Sequence, residues 1–297
     1  MGRVKTILLT GATGYLGSNL AGALVKNGYN LIVLKRVTSN VMRLTTFLPS
    51  IKCYDIAQDD IDQAFSENEI DCVIHTAASY GRQAENLEDI YKANLLFPVA
   101  LIDLCKKYGI NYFINTGTSL PPAINTYSLS KNQFSEVLKM NSSILNVLDL
   151  KLEYFYGPGD DTSKFVTFLL DKLIRCEDSI ALSAGIQFRD FIYIKDAVDA
   201  FLVLLQHIEQ FTGYNDVQLG SGKAHQLKEI AEKLKEKLNS PTHLNFGALP
   251  IRPGEIMHSV ADITFLTSLG WATNYTLDQG ISETIKIEKS LRHDHNK

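Results

Sequence analysis

Tryptophan occurs once, methionine four times and cysteine four times in 297 residues. The thiols, Cys53, Cys72, Cys105 and Cys176, are widely scattered, with no Cys-x-x-Cys pair and no nearby histidine at metal-ligand spacing. That excludes a disulfide framework and a zinc site and suits a reducing cytoplasm. No apolar run is long enough to span a membrane, and the first one, residues 7–9, is too short for a signal peptide. Residues 1–6 satisfy the loose N-myristoylation pattern, but Thr6 already belongs to an apolar run that reads as a buried strand. A basic excess is also missing: 29 Lys+Arg stand against 33 Asp+Glu, a net charge of −4. Nothing diffuse is left to hold a nucleic acid or an anionic membrane, so any bound anion must be gripped locally. What is there is a globular composition, 45% hydrophobic and 21% charged, sufficient for one large domain or two unequal ones. The expectation is a cytoplasmic protein without a metal, a nucleic-acid partner or a membrane partner.

The first half alternates short aliphatic runs (residues 6–10, 31–34, 51–54, 72–75, 112–115 and 147–152) with amphipathic stretches. Such alternation predicts an α/β fold, a Rossmann-type doubly wound parallel sheet with crossover helices on both faces. In the first helix Leu16, Leu20 and Leu24 recur every fourth position, and Asn27-Gly28 ends it. After residue 159 the rhythm changes to helix (162–175), extended run (188–194), helix (197–207), strand (217–219) and helix (227–238). The predicted organisation is a sheet domain of residues 1–157 with 188–220. A smaller C-terminal lobe, residues 158–187 with 221–297, would lie over the carboxyl ends of the strands, where doubly wound folds bind ligands.

Thr10-Gly11-Ala12-Thr13-Gly14-Tyr15-Leu16-Gly17 follows the first strand and opens the first helix. Glycines there permit a tight turn and close approach to a pyrophosphate, and the helix N-terminus adds unpaired N–H groups. Gly11, Thr13, Gly14, Tyr15, Leu16 and Gly17 are therefore candidate dinucleotide ligands. An NAD site usually places a carboxylate after the second strand, whereas this chain has Lys35-Arg36, two cations that suit a 2′-phosphate. NADPH is the expected cofactor, with NAD the alternative. Asp55-Ile56 and Ala77-Ala78 would line the adenine pocket and flank the pyrophosphate, and His75 reads as a satisfied buried histidine.

Tyr127 and Lys131 stand four residues apart, on one face of a helix. A fixed positive charge stabilises phenolate, which makes a tyrosine a usable general acid near neutral pH. Thr118, past the fifth strand, can hydrogen-bond the same carbonyl oxygen. On Lys131's helix, Phe134 and Leu138 face either a second subunit or the core, and a homodimer is expected.

With Gly11/Gly14/Gly17, His75-Thr76-Ala77-Ala78, Asn94, Thr118, Tyr127/Lys131, Tyr156-Gly157-Pro158-Gly159, Arg189-Asp190-Phe191 and Arg252 in view, nearly the whole chain resembles the extended short-chain dehydrogenase/reductases, a family of nucleotide-sugar epimerases, dehydratases and reductases. The resemblance implies Thr118, Tyr127 and Lys131 as catalytic residues, Lys131 and Asn94 at the cofactor, and Arg189 with Arg252 on a substrate diphosphate. It makes the smaller lobe the nucleotide-sugar-binding one. Departures narrow the reaction. Ser119-Leu120 replace the Asp-Glu of the dehydratases after Thr118, residues 115–122 lack the cysteine of GDP-fucose-type epimerase-reductases, and Lys35 replaces the carboxylate usual in 4-epimerases.

Ser79-Tyr80-Gly81-Arg82, residues 115–122, 150–157 and 187–196, and Glu255-Ile256-Met257 look more narrowly like CDP-paratose and CDP-abequose synthases. Those enzymes reduce the C4 ketone of a CDP-3,6-dideoxyhexulose for bacterial surface polysaccharide. The implied activity is NADPH-dependent 4-ketoreduction of a nucleotide-linked, CDP-linked by preference, 4-keto-6-deoxy or 3,6-dideoxy hexose. Tyr80, Arg82, Glu153 and Lys164 are further candidates for the substrate pocket. The rival readings are an NAD-retaining sugar 4-epimerase and, in a different class, a non-catalytic NADP-sensing binding protein, which would have no need of the Thr118, Tyr127 and Lys131 set.

Overall fold

A computed structural model describes residues 4–56, 61–81, 84–252 and 254–295. The chain divides into two compact units, Met1–Leu152 with Val198–Gln218, and Glu153–Ala197 with Leu219–Lys297.

The first unit is built on a seven-stranded sheet. Its strands are β1 (Thr6–Thr10), β2 (Asn30–Lys35), β3 (Ile51–Asp55), β4 (Cys72–His75), β5 (Tyr112–Thr116), β6 (Asn146–Leu152) and, after three short strands named below, β10 (Tyr214–Leu219). The order across the sheet is β10-β6-β5-β4-β1-β2-β3, and the pairs from β3 through β6 run parallel. All four residues of β4, and four of the five in β1, are buried. Continuous burial is what a parallel sheet covered on both faces requires, and it explains why these strands read as unbroken apolar runs. Leu8, Ile32, Val73, Phe113 and Val147 lie in register across five strands and form one core row. The strand order reverses between β1 and β4, the switch point at which open α/β sheets bind ligands beyond the carboxyl ends of their strands.

Helices α1 (Tyr15–Lys26), α2 (Ile61–Ser66), α3 (Leu87–Tyr91), α4 (Phe97–Tyr108) and α5 (Thr126–Met140) belong to this unit. Phe134 and Leu138 of α5 are fully buried in its core with Leu101 and Cys105 of α4. Of the two placements left open for these side chains the structure has the core: they face the sheet, because they stand four apart on the same side of α5 as Lys131.

The second unit carries β7 (Tyr154–Tyr156), β9 (Phe188–Tyr193) and β11 (Ala224–Gln226) in one sheet, and β8 (Ser179–Leu182) with β12 (His243–Phe246) in another. β9 runs parallel to β7 and antiparallel to β11. The sequence reading places residues 153–157, 188–197 and 219–220 in the first domain, whereas they belong to the second compact unit. The reason is aromatic packing: Tyr154, Tyr156 and Phe165 gather round Phe191, and Tyr156 also meets Tyr193. A β-branched, aromatic run announces a strand but not its partner.

Candidate active site

The turn after β1 is held by the Gly14 N–H donating to the Gly11 carbonyl at 2.9 Å. Gly11 has φ +73°, a left-handed conformation natural to glycine, and a Cβ on it would lie 2.5 Å from the Ala77 nitrogen. At Gly17 an added Cβ would overlap the Gly11 carbonyl oxygen and come within 2.8 Å of Thr76 Oγ1. The loop is thus pressed against the β4 end at Thr76-Ala77. Gly14, the N-cap of α1, supplies no side-chain acceptor, so the first N–H groups of α1 are left for an anion. Tyr15 and Leu16 have buried side chains and would reach a ligand through their backbone, while Thr13 is half-buried in the turn.

At the β2 end Lys35 forms an ion pair with Asp55, its parallel neighbour in β3, and Arg36 beside it is exposed. Of the two cations expected at a 2′-phosphate, one is already matched by a carboxylate. Ile56 donates its N–H to the Lys35 carbonyl at 2.6 Å, which fixes Asp55 and Ile56 beside that pair, and Ala77 and Ala78 are half-buried. Arg43, which the sequence did not single out, places its guanidinium 5.8 Å from the Tyr15 ring centroid.

Asn94 sits in a π-helical turn, Lys92–Leu96, a kind of irregularity that often marks function. Its amide is spent within the protein: Oδ1 accepts from the Ser79 N–H at 2.7 Å, and Nδ2 donates to the Ser79 carbonyl at 2.8 Å and to Ser130 Oγ at 3.0 Å. Asn94, expected at the cofactor, thus ties the loop carrying Tyr80 to the helix carrying Tyr127. His75 Nδ1 meets Thr10 Oγ1 at 2.8 Å, but its Nε2 lacks a partner among the described residues. Burial first, and the Lys131 cation second, hold that imidazole well below its ordinary pKa, hence neutral.

α5 begins at Asn125, whose side chain accepts from the Ser128 N–H at 2.8 Å while Ser128 Oγ accepts from the Asn125 N–H at 3.1 Å. This reciprocal cap fixes the first turn and with it Tyr127. The Tyr127 ring stacks on Tyr80, centroids 4.7 Å apart. Lys131, one turn on, is 1% exposed, and its Nζ has no hydrogen-bond partner among the described residues. Burial pushes its pKa down to about 8 against a partial restoring effect of Asp149. Thr118, also buried, accepts from the Leu120 N–H at 3.2 Å, which leaves its hydroxyl proton to donate elsewhere. The short loop with Pro121-Pro122 is laced to α5: Asn132 Nδ2 donates to the Leu120 carbonyl at 3.0 Å, and Ser128 Oγ to that of Pro122 at 3.3 Å.

In the second unit Arg189 has a 3% exposed side chain that faces protein groups on three sides. It donates to Glu255 Oε1 at 2.6 Å, to the Phe188 carbonyl at 2.8 Å and to Tyr154 OH at 3.2 Å. Glu255, noted in the sequence only within the Glu255-Ile256-Met257 stretch and 66 positions away, holds the guanidinium where a diphosphate grip was expected. Arg252 is exposed, its carbonyl accepting from the Glu255 N–H at 3.1 Å. Glu153 is buried and accepts from Ser259 Oγ at 2.7 Å, while Lys164 Nζ lies 4.5 Å from the Phe155 ring centroid. Arg82 lies outside the described residues. Among those residues no helix is long and apolar enough to cross a membrane.

A glycine turn at the switch point and a capped helix bearing Tyr127 and Lys131 on one face define a class. Residues 7–220 match the NAD dependent epimerase/dehydratase family, and the chain belongs to it. It is 33% identical over 295 residues to the CDP-abequose synthase of Salmonella muenchen, with 96% of this chain and 98% of the relative covered. The CDP-abequose synthase of Salmonella typhimurium is 30% identical over 94% of this chain and 97% of its own. Among solved structures, UDP-glucuronic acid 4-epimerase from Bacillus cereus, in complex with UDP-glucuronic acid and NAD, shares the fold with a TM-score of 0.86 at 21% identity, covering 96% of this chain and 99% of that one.

Proposed function

We propose that the protein reduces the C4 ketone of a nucleotide-linked 4-keto-6-deoxy or 3,6-dideoxy hexose, CDP-linked by preference, with NADPH as reductant, in the cytoplasm, for bacterial surface polysaccharide. The observation that carries this reading is the buried, unpartnered Nζ of Lys131 one turn from Tyr127. An orphaned ammonium at full burial is costly, and ribose hydroxyls of a nicotinamide nucleotide would satisfy it. The glycine cradle fits the same group, since any side chain at Gly11 or Gly17 would fill it. When bound, the dinucleotide supplies the hydride. Tyr127 then donates its phenolic proton to the ketone oxygen, Thr118 hydrogen-bonds that oxygen, and Lys131 stabilises the resulting phenolate. The CDP preference draws support from the two CDP-abequose synthases. The first unit is assigned to the dinucleotide and the second to the nucleotide sugar. For a homodimer, exposed Leu129 and Met140 on α5 offer apolar contact, which light scattering tests.

The deciding experiment is NADPH oxidation with CDP-, dTDP- and GDP-linked 4-ketohexoses, with NMR of the product. Oxidation with the CDP-linked ketone is expected; a flat response to the whole panel, from protein that binds NADPH, overturns the reading. The Lys35–Asp55 pair favours a second reading, a 4-epimerase that retains NAD, because it removes one cation from the 2′-phosphate. Purified protein carrying stoichiometric NAD and interconverting sugars without added cofactor would decide for it.

Two substitutions probe the grips. Arg36→Ala should raise the KM for NADPH about 10- to 100-fold, the worth of one charge-assisted hydrogen bond, and leave that for NADH unchanged. Lys35→Ala should do less, because Asp55 already engages that ammonium. Glu255→Gln should tighten binding of CDP, measured calorimetrically, because the carboxylate no longer competes with a diphosphate for Arg189. Unchanged affinity would remove Arg189 from the substrate site.

A further inference from the structure

We propose that the buried Asp149 carboxylate, clamped by Lys151, Asn115 and Tyr214, is a positioning group that serves Lys131, supplying the internal counter-charge that keeps its ammonium protonated and tying its helix to the loop that carries Thr118. The inference rests on the roles read for Tyr127 and Lys131 above.

Asp149 is fully buried in β6. Asn115 Nδ2 donates to its Oδ1 at 2.7 Å, and Lys151 Nζ and Tyr214 OH donate to its Oδ2 at 2.5 and 2.7 Å. Lys151 Nζ also donates to Ser135 Oγ at 2.6 Å, and Ser135 Oγ donates to the Lys131 carbonyl at 3.2 Å. A continuous hydrogen-bonded path thus joins Asp149 to the backbone of Lys131. On the other side, a Cβ built on Gly117 would stand 2.7 Å from Asp149 Oδ1, so the carboxylate lies directly against the residue preceding Thr118. One acidic group therefore lies against the Thr118 loop and reaches α5 through Lys151 and Ser135, while lying outside the reaction centre.

A carboxylate this deep is weak evidence for stability, because desolvation offsets most of what its partners return. Its electrostatic effect is specific instead. Burial alone raises the proton affinity of the Asp149 carboxyl, but the Lys151 cation and the hydrogen bonds it receives outweigh that and hold it below the ordinary value, hence ionised. Burial lowers the proton affinity of Lys131, Asp149 opposes that, and Lys151 adds to it. The protonation of Lys131 is thus set between two neighbours of opposite sign on one strand. The other titratable groups facing the cluster do not change this balance. Lys139 and Glu136 of α5 pair with each other at the surface, Asp216 of β10 is exposed, and His75 of β4 is neutral.

The test follows Lys131 directly, by NMR titration of isotopically labelled lysine side chains in the full-length protein without substrate, with Lys131→Met to assign the signal. Asp149→Asn should lower the Lys131 midpoint and Lys151→Met should raise it, each by about one pH unit, a tenfold change in proton affinity. Lys151→Arg should restore the wild-type value. The alkaline limb of kcat/KM, or of NADPH binding, should move in the same directions. A merely structural role would give no shift, or shifts of one sign in both variants, and either result overturns the proposal. If Asp149→Asn does not fold, the contrast between Lys151→Met and Lys151→Arg decides alone. Opposite shifts in a protein that reduces no 4-keto sugar would uphold this inference and reject the reaction; turnover with a fixed midpoint would do the reverse.

Discussion

Tyr127→Phe should lower kcat about 10²- to 10⁴-fold, the usual worth of a positioned general acid, while the dissociation constant for NADPH stays close to wild type. The substitution deletes one oxygen and keeps the ring that stacks on Tyr80 at 4.7 Å. It also leaves the Asn125–Ser128 cap of α5 untouched, so the helix that carries Lys131 keeps its place. What is lost is the proton for the ketone oxygen, with hydride donation unimpaired but no longer matched by an acid. With NADPH saturating, the residual rate should lose its alkaline limb as well, because the Lys131 charge, titrating near pH 8, reaches the ketone oxygen through the phenol. Stopped-flow NADPH oxidation across pH, with fluorescence titration of the cofactor, checks both parts. Residual turnover within tenfold of wild type would remove Tyr127 from the proton-donor role.

How much of this was readable beforehand follows from the range of each interaction. The glycine loop was legible because a tight turn against a neighbouring strand leaves no room for a Cβ, and that demand is written locally at Gly11 and Gly17. Tyr127 and Lys131 were legible because helical geometry alone puts them on one face. Lys35 was legible as a cation but not as Asp55's partner, since strand register brings together residues 20 positions apart. Arg189 was legible as a cation but not as Glu255's partner, since 66 positions separate them, and Asp149 was invisible because one carboxylate in an apolar strand looks like a surface position. Long-range pairing, in each case, decides whether a charge faces a ligand or the protein itself. The same holds for β7 and β9, whose runs were seen as extended while their pairing within the second unit was not.

Gly17→Ala sets two opposing effects against each other. Inside a helix, alanine is favoured over glycine by about 1 kcal/mol, so propensity alone predicts a more stable protein. The new Cβ, however, would overlap the Gly11 carbonyl oxygen and stand 2.7 Å from the carbonyl carbon and 2.8 Å from Thr76 Oγ1. No side-chain rotation relieves a clash with backbone, and Thr76 Oγ1 is itself committed to the Thr10 carbonyl at 2.7 Å. Overpacking of this kind costs about 1–3 kcal/mol or more, so the clash wins and Tm falls. Relief must come from moving the Gly11 turn away from α1, which dismantles the anion cradle, and the larger effect is therefore on binding. A ligand at 100 times its Kd stabilises the folded state by about 2.7 kcal/mol, and that increment should vanish in Gly17→Ala. Gly28→Ala is the matched control: it strains a φ of +80° but meets nothing within 4 Å, so Tm should fall while the NADPH-induced rise persists. Gly14→Ala, whose Cβ would meet only the Gly11 carbonyl oxygen at 3.2 Å, should fall between the two. Thermal unfolding of the three variants with and without NADPH separates a damaged cradle from a damaged fold, and a full ligand-induced rise in Gly17→Ala would exclude this loop as the dinucleotide site.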